Sequence, residues 1–162
     1  MNQSFFYLII MKIILLILLS SFTLLKDNSG KDIQLLNKFV DDWHMAASKA
    51  DFKSYFEMMD ENSIFIGTAP NERWTKKEFM DFSKPFFDKG KAWDFKSNER
   101  NWYFSDDGKT AWFDEKLSTW MLDCSGTGVL KKSKGKWKIM FYDLHVLIEN
   151  EKMNEFLDLR KK

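Results

Sequence analysis

Apolar residues recur at Ile33, Leu36, Phe39, Val40, Trp43, Ala46 and Ala47. Steps of three and four predict an amphipathic helix from Asp32 to about Ser48, after the polar break Asn28-Ser29-Gly30. Asp51 suits the N-cap of a short second helix with Phe52, Tyr55, Phe56 and Met59 on one side, ended by Asp60-Glu61-Asn62. Ile64-Phe65-Ile66 is a short β-prone run closed by Gly67. Thr75-Lys76-Lys77-Glu78 matches a capping box, in which hydroxyl and carboxylate each satisfy a free backbone N–H. The helix it starts carries Phe79, Phe82, Phe86 and Phe87. Pro85 should kink that helix or begin its last turn, and Gly90 suits the left-handed position after its end.

The pattern then changes period. Trp93 to Phe104, Ala111 to Leu122, Gly128 to Lys132 and Trp137 to Leu147 read as strands. Ser105-Asp106-Asp107-Gly108 and Ser133-Lys134-Gly135 read as hairpin turns. Cys124-Ser125-Gly126-Thr127-Gly128 lacks the lysine and the strand-to-helix setting of a nucleotide loop, so it reads as strand with glycine bulges. Glu151 to Leu159 predicts a short final helix. Helices followed by antiparallel strands define an α+β domain with helices on one face of a sheet.

Ahead of this lies an apolar run, Phe5 to Leu25, interrupted by Lys12. Met11-Lys12, the apolar stretch Ile13–Leu19 and the small residues Ser20 and Ser21 follow the order of a secretory signal peptide. Residues 1–25 are therefore expected to be a signal peptide, with translation starting at Met1 or Met11, and residues 26–162 a single exported domain, periplasmic or extracellular. The alternative is a membrane anchor through residues 5–25, about the ~20 residues that span a bilayer. In that case Lys12 costs roughly 2.5–3.5 kcal/mol unless it snorkels. The domain from Lys26 onward is formally neutral, which argues against nucleic acid as a partner, since phosphate binding needs excess Lys and Arg. With one cysteine, Cys124, and two histidines, no disulfide or cysteine metal cluster forms within the chain, and neither a metal nor a cofactor is expected.

The chemistry-bearing positions are few. Along Ala111–Leu117, alternation groups Trp112, Asp114 and Lys116 on one face and Phe113, Glu115 and Leu117 on the other, so each face holds one acid. An acid among aromatics can have a raised pKa and act in proton transfer, or can simply pair with a neighbouring cation such as Arg100. In the last strand, strict alternation places Trp137, Ile139, Phe141, Asp143 and His145 together. His44 beside Trp43 reads as a surface or hydrogen-bonded residue with a secondary chance of catalysis. No hydrolase, P-loop, dinucleotide or zincin motif occurs.

Taken together, Trp43-x-x-Ala46-Ala47, Asp51, Tyr55-Phe56, Ile64–Thr68, Glu72-Arg73-Trp74, Gly90-Lys91-x-Trp93, Arg100, Ala111–Glu115, Cys124-x-Gly126-x-Gly128 and Gly135–Ile139 resemble a SnoaL-like domain. This is a branch of the nuclear-transport-factor-2-like superfamily, and the likeness spans roughly residues 32–150. It implies a cone-shaped, strongly curved antiparallel sheet with N-terminal helices on its concave face, a pocket at the open end and frequent homodimerisation through the other face. Relatives include cyclases, an isomerase and a dehydratase, but also transport factors and an oligomerisation domain, so fold does not fix function. The acid-plus-oxyanion-hole set of the isomerase and the His/Asp pair of the dehydratase do not fall on matching positions here. Leu147–Asn150 stands where relatives usually have Pro. The expected pocket combines Trp43, Tyr55, Thr68, Trp74, Arg100 and Trp112 as ligand-binding residues with Asp114 and Asp143 as candidate catalytic acids. A small apolar or cyclic ligand suits it. The alternatives are an enzyme moving a proton or water on a carbonyl or cyclic substrate, and a dimeric assembly module.

Overall fold

The computed structural model describes residues 28–161. The segment 1–25, expected to be a signal or anchor, lies outside the described residues. Among the described residues no helix is long and apolar enough to cross a membrane. The described chain divides between Phe39 and Val40, inside helix α1 (Asn28–Ser48).

From Val40 onward, helices α2 (Phe52–Glu57) and α3 (Lys76–Asp88) accompany a six-stranded, curved and unclosed sheet. Its strands are β1 (Met59–Ile66), β2 (Arg73–Thr75), β3 (Lys96–Phe104), β4 (Thr110–Thr119), β5 (Leu122–Ser133) and β6 (Lys136–Val146), in the order β2-β1-β6-β5-β4-β3. A 3₁₀ turn and helix α4 (Met153–Arg160) follow. The caps form as the sequence dictates. Asp51 accepts from the Ser54 N–H at 3.0 Å, and Thr75 with Glu78 forms a reciprocal capping box. Gly90 takes the left-handed conformation after α3, and Pro85 is accommodated within the last turns of that helix.

The sheet departs from expectation at five places. β1 pairs antiparallel with the short β2, which the sequence reading missed, and parallel with β6, so one pairing in the sheet is parallel. Asp60–Asn62, read as a helix end, lies inside β1 at an irregularity of register. The run Ala111–Leu122 is not one strand: β4 ends at Thr119, Trp120-Met121 turn, and Leu122 pairs back with Thr119. β5 then runs unbroken past its glycines.

Those glycines relieve crowding instead. A Cβ on Gly126 would sit 2.2 Å from the Tyr142 hydroxyl, and one on Gly128 would sit 2.2 Å from the Phe113 ring. The fifth departure is in β6, where Phe141 faces Val129 and Ile139 faces Leu130, leaving Met140 as an inserted residue. Such a bulge reverses the alternation beyond it. Trp137 and Ile139 therefore point inward together with Tyr142 and Leu144, whereas Phe141, Asp143 and His145 do not. The core, led by Trp43, Tyr55, Phe79, Phe113 and Tyr142, fills the space between the inner sheet face and the helices from Val40 on.

Candidate functional site

Two features meet on the inner side of the sheet. The first is a buried polar centre. The Glu115 side chain is 0 % exposed and makes four hydrogen bonds. Its Oε1 accepts from His44 Nε2 at 2.9 Å and from the Tyr142 hydroxyl at 2.8 Å. Its Oε2 accepts from Arg100 Nε at 3.0 Å and Nη2 at 2.8 Å, and the same Nη2 reaches Asp41 Oδ1 at 2.9 Å. Four donors occupy the lone-pair sites of an ionised carboxylate. Because that carboxylate only accepts, His44 Nε2 carries a hydrogen, and in the neutral ring Nδ1 holds the lone pair.

Burial alone would push the Glu115 carboxyl up. The His44 hydrogen bond and charge, the Arg100 charge and the Tyr142 hydrogen bond outweigh it and hold the carboxyl at about 2. Burial, reinforced by the same carboxylate, drives the Tyr142 hydroxyl well above the ordinary phenol range. A depressed carboxyl binds fewer protons in the folded than in the unfolded chain. Its contribution to stability is therefore complete above pH 4.5, the ordinary value, and is lost as pH falls toward 2. Urea unfolding from pH 6 to pH 2.5 should show a progressive drop beginning near pH 4.5, and the Glu115→Gln variant should show a flatter one.

The second feature is a cavity of about 210 Å³ walled by Phe65, Trp74, Phe79, Phe82, Trp93 and Leu144. Aromatic rings stack along its wall: Trp74 on Phe82 at 4.4 Å, Phe65 on Phe79 at 4.0 Å and Trp93 on Phe79 at 5.6 Å. Thr68 and Glu72 supply polarity, and Glu72 Oε2 is already engaged by the Ala69 N–H at 3.0 Å. No Lys or Arg lines the space. Phe95 separates the two features. It lines the cavity and also a polar cleft with His44, Asp41, Asp94 and Ser97, and its ring lies 5.9 Å from that of His44.

The expected site residues are distributed unevenly over this arrangement. Thr68 and Trp74 line the cavity. Trp43 and Tyr55 stack on each other at 4.8 Å in the core behind it, and the Tyr55 ring touches those of Phe79 and Trp93. Arg100 is a buried counter-charge, but of Glu115 and Asp41, not of Asp114 or Asp143.

The expectation that Trp112, Asp114 and Asp143 look inward is corrected. Trp112 stacks on Tyr103 at 6.0 Å and is partly exposed on the outer face, and Asp114 accepts there from Asn101 Nδ2 at 3.0 Å. Asp143, turned outward by the Met140 bulge, lies 3.5 Å from His145. The sequence reading weighed Glu115 as one of two acids with Arg100 as a possible partner, the pairing found here, but chose Asp114 for the site, gave Tyr142 and Phe95 no role and undervalued His44. A signal was present in the alternate glycines Gly126 and Gly128. Small residues at one parity of a strand mark the crowded face, and Gly126 is the partner of Glu115 across the β4–β5 ladder. Among the described residues no group of three or more His, Cys, Asp or Glu side chains could hold a metal ion.

A two-layered sheet and helix domain with an inward aromatic cavity beside a buried acid defines the class, and residues 36–149 match the model of the SnoaL-like domain family. The chain belongs to that family. Its fold is shared with an NTF2-like protein of unknown function from Pseudomonas putida KT2440, 9% identical, covering 73% of this chain and 88% of that one with a TM-score of 0.62. A candidate dehydratase of the NTF2-like family from Streptomyces avermitilis is 11% identical over 75% of this chain and 99% of its own, with a TM-score of 0.62. A candidate scytalone dehydratase from Novosphingobium aromaticivorans DSM 12444 is 12% identical over 76% and 89%, with a TM-score of 0.59. No curated protein matches the chain in sequence.

Proposed function

We propose that this SnoaL-like domain is an exported binding protein that holds a small apolar, cyclic ligand in the aromatic cavity. The observation that carries the reading is the composition of the wall: stacked rings, one hydroxyl and one already engaged carboxylate, with no cation. At about 210 Å³ the space exceeds the roughly 150 Å³ of an engineered apolar cavity that takes up benzene. A one- or two-ring ligand fits such a volume. Export is supported by the order of basic, apolar and small residues from Met11 to Ser21.

Calorimetric titration with 2-naphthol is expected to show saturable binding at one site. Ala92 lines the cavity, so Ala92→Phe should fill it and abolish the heat. Binding that survives Ala92→Phe, or no binding at all, defeats the reading.

A second reading, an enzyme that moves a proton or water on a cyclic substrate, is favoured by the His44–Glu115 pair and by the likeness to two candidate dehydratases. Glu115 is saturated with donors, so His44 would be the proton carrier and Glu115 its positioning residue. Turnover that His44→Gln removes while naphthol binding persists would establish this reading over the first.

A further inference from the structure

The geometry points to Trp120 as the residue that makes the cavity selective for planar, aromatic ligands, closing over them as the free plate of a stacking slot. The inference rests on the cavity reading above and deepens it.

The β4–β5 turn has an unusual composition. Tight turns are normally built from Gly, Asn, Asp or Ser, each supplying a turn conformation or a local hydrogen bond. Here Trp120-Met121 forms the connection and Leu122 takes the left-handed conformation at φ 70°. Trp120 is 80% exposed and Leu122 77%. Neither is repaid by burial, so the hydrophobic effect within this fold does not account for them.

The turn is also braced. Thr119 Oγ1 accepts from the Met121 N–H at 2.9 Å and donates to the Leu122 carbonyl at 3.1 Å. Trp120 is thus presented from a fixed hairpin end, and it lines the cavity mouth.

Ring contacts single it out further. The wall rings Phe65, Trp74, Phe79, Phe82, Trp93 and Phe95 each lie against another aromatic ring. Trp120, among the described residues, has no ring partner. An indole that lines an aromatic cavity, is 80% exposed and has no ring partner among the described residues is a surface on which a flat, unsaturated ligand gains a stacking contact that a saturated one of equal size does not.

The test compares 2-naphthol with trans-2-decalol, which shares its two-ring skeleton but is not planar. Each is titrated calorimetrically into the full chain and into Trp120→Ala and Trp120→Phe. The wild type should prefer naphthol. Trp120→Ala should weaken naphthol binding roughly two- to tenfold, leave decalol binding unchanged and keep the urea midpoint, whereas Trp120→Phe should retain most of the preference. Equal losses for both ligands, or no loss for either, overturn the stacking role and leave the cavity reading standing. Blank titrations with both ligands overturn the two together.

Discussion

Glu115→Gln should destabilise the domain by about 3–5 kcal/mol, the range for breaking a buried ion pair by removing one partner. The reason is Arg100, whose side chain is 4% exposed and is left facing a neutral amide. Asp41, more than half exposed, keeps one contact to Arg100 and places the expected loss toward the lower end of the range. Removing both partners tests the cause. In Glu115→Gln/Arg100→Met the Arg100 charge is no longer stranded, so the double variant should lose less than Glu115→Gln alone. Asp114→Asn, one residue away on the outer face, should change stability by no more than about 0.5 kcal/mol. Urea unfolding of the four proteins decides the matter. Comparable losses at positions 114 and 115 would remove the special status of the buried centre.

Phe79→Ala carries the second large effect, about 3–5 kcal/mol for deleting a core phenyl group. Phe79 is 1% exposed, stacks on Phe65, Trp74 and Trp93, and meets Tyr55 and Phe56 edge to face. It is also part of the cavity wall, so the void left behind opens into the space proposed above to take up ligand. Saturating naphthol should therefore raise the unfolding midpoint of the variant by more than it raises that of the wild type. A small loss of stability, or a large one that naphthol does not relieve, would separate Phe79 from the cavity.

Local structure was legible wherever a residue's own chemistry dictates it. The Asp51 cap, the Thr75–Glu78 box and the turns at Gly108 and Lys134-Gly135 each depend on a side-chain acceptor or a left-handed backbone. The Trp120-Met121 turn was not legible, because it contains none of those signals. Site assignment failed for a different reason. Alternation tells which residues share a face, but not which face is buried, and a single inserted residue at Met140 exchanges the two sets for half of β6. Asp114 and Glu115 were thus equivalent until Gly126 and Gly128 fixed the crowded side. His44 was undervalued because its partner lies 71 residues away.

The four bonds at Glu115 also order events in time. Their donors come from α1, β3 and β6, and the acceptor sits on β4, so the carboxylate cannot be desolvated with its charge balanced until all four elements have docked. Taking it out of water earlier costs several kcal/mol with nothing in return. The network is therefore expected to close late in folding, once the hairpins of β3 to β6 have formed. Stopped-flow urea chevrons should then show Glu115→Gln and Tyr142→Phe speeding unfolding while the folding rate stays almost unchanged; folding slowed in proportion to the lost stability would place the network in the transition state instead.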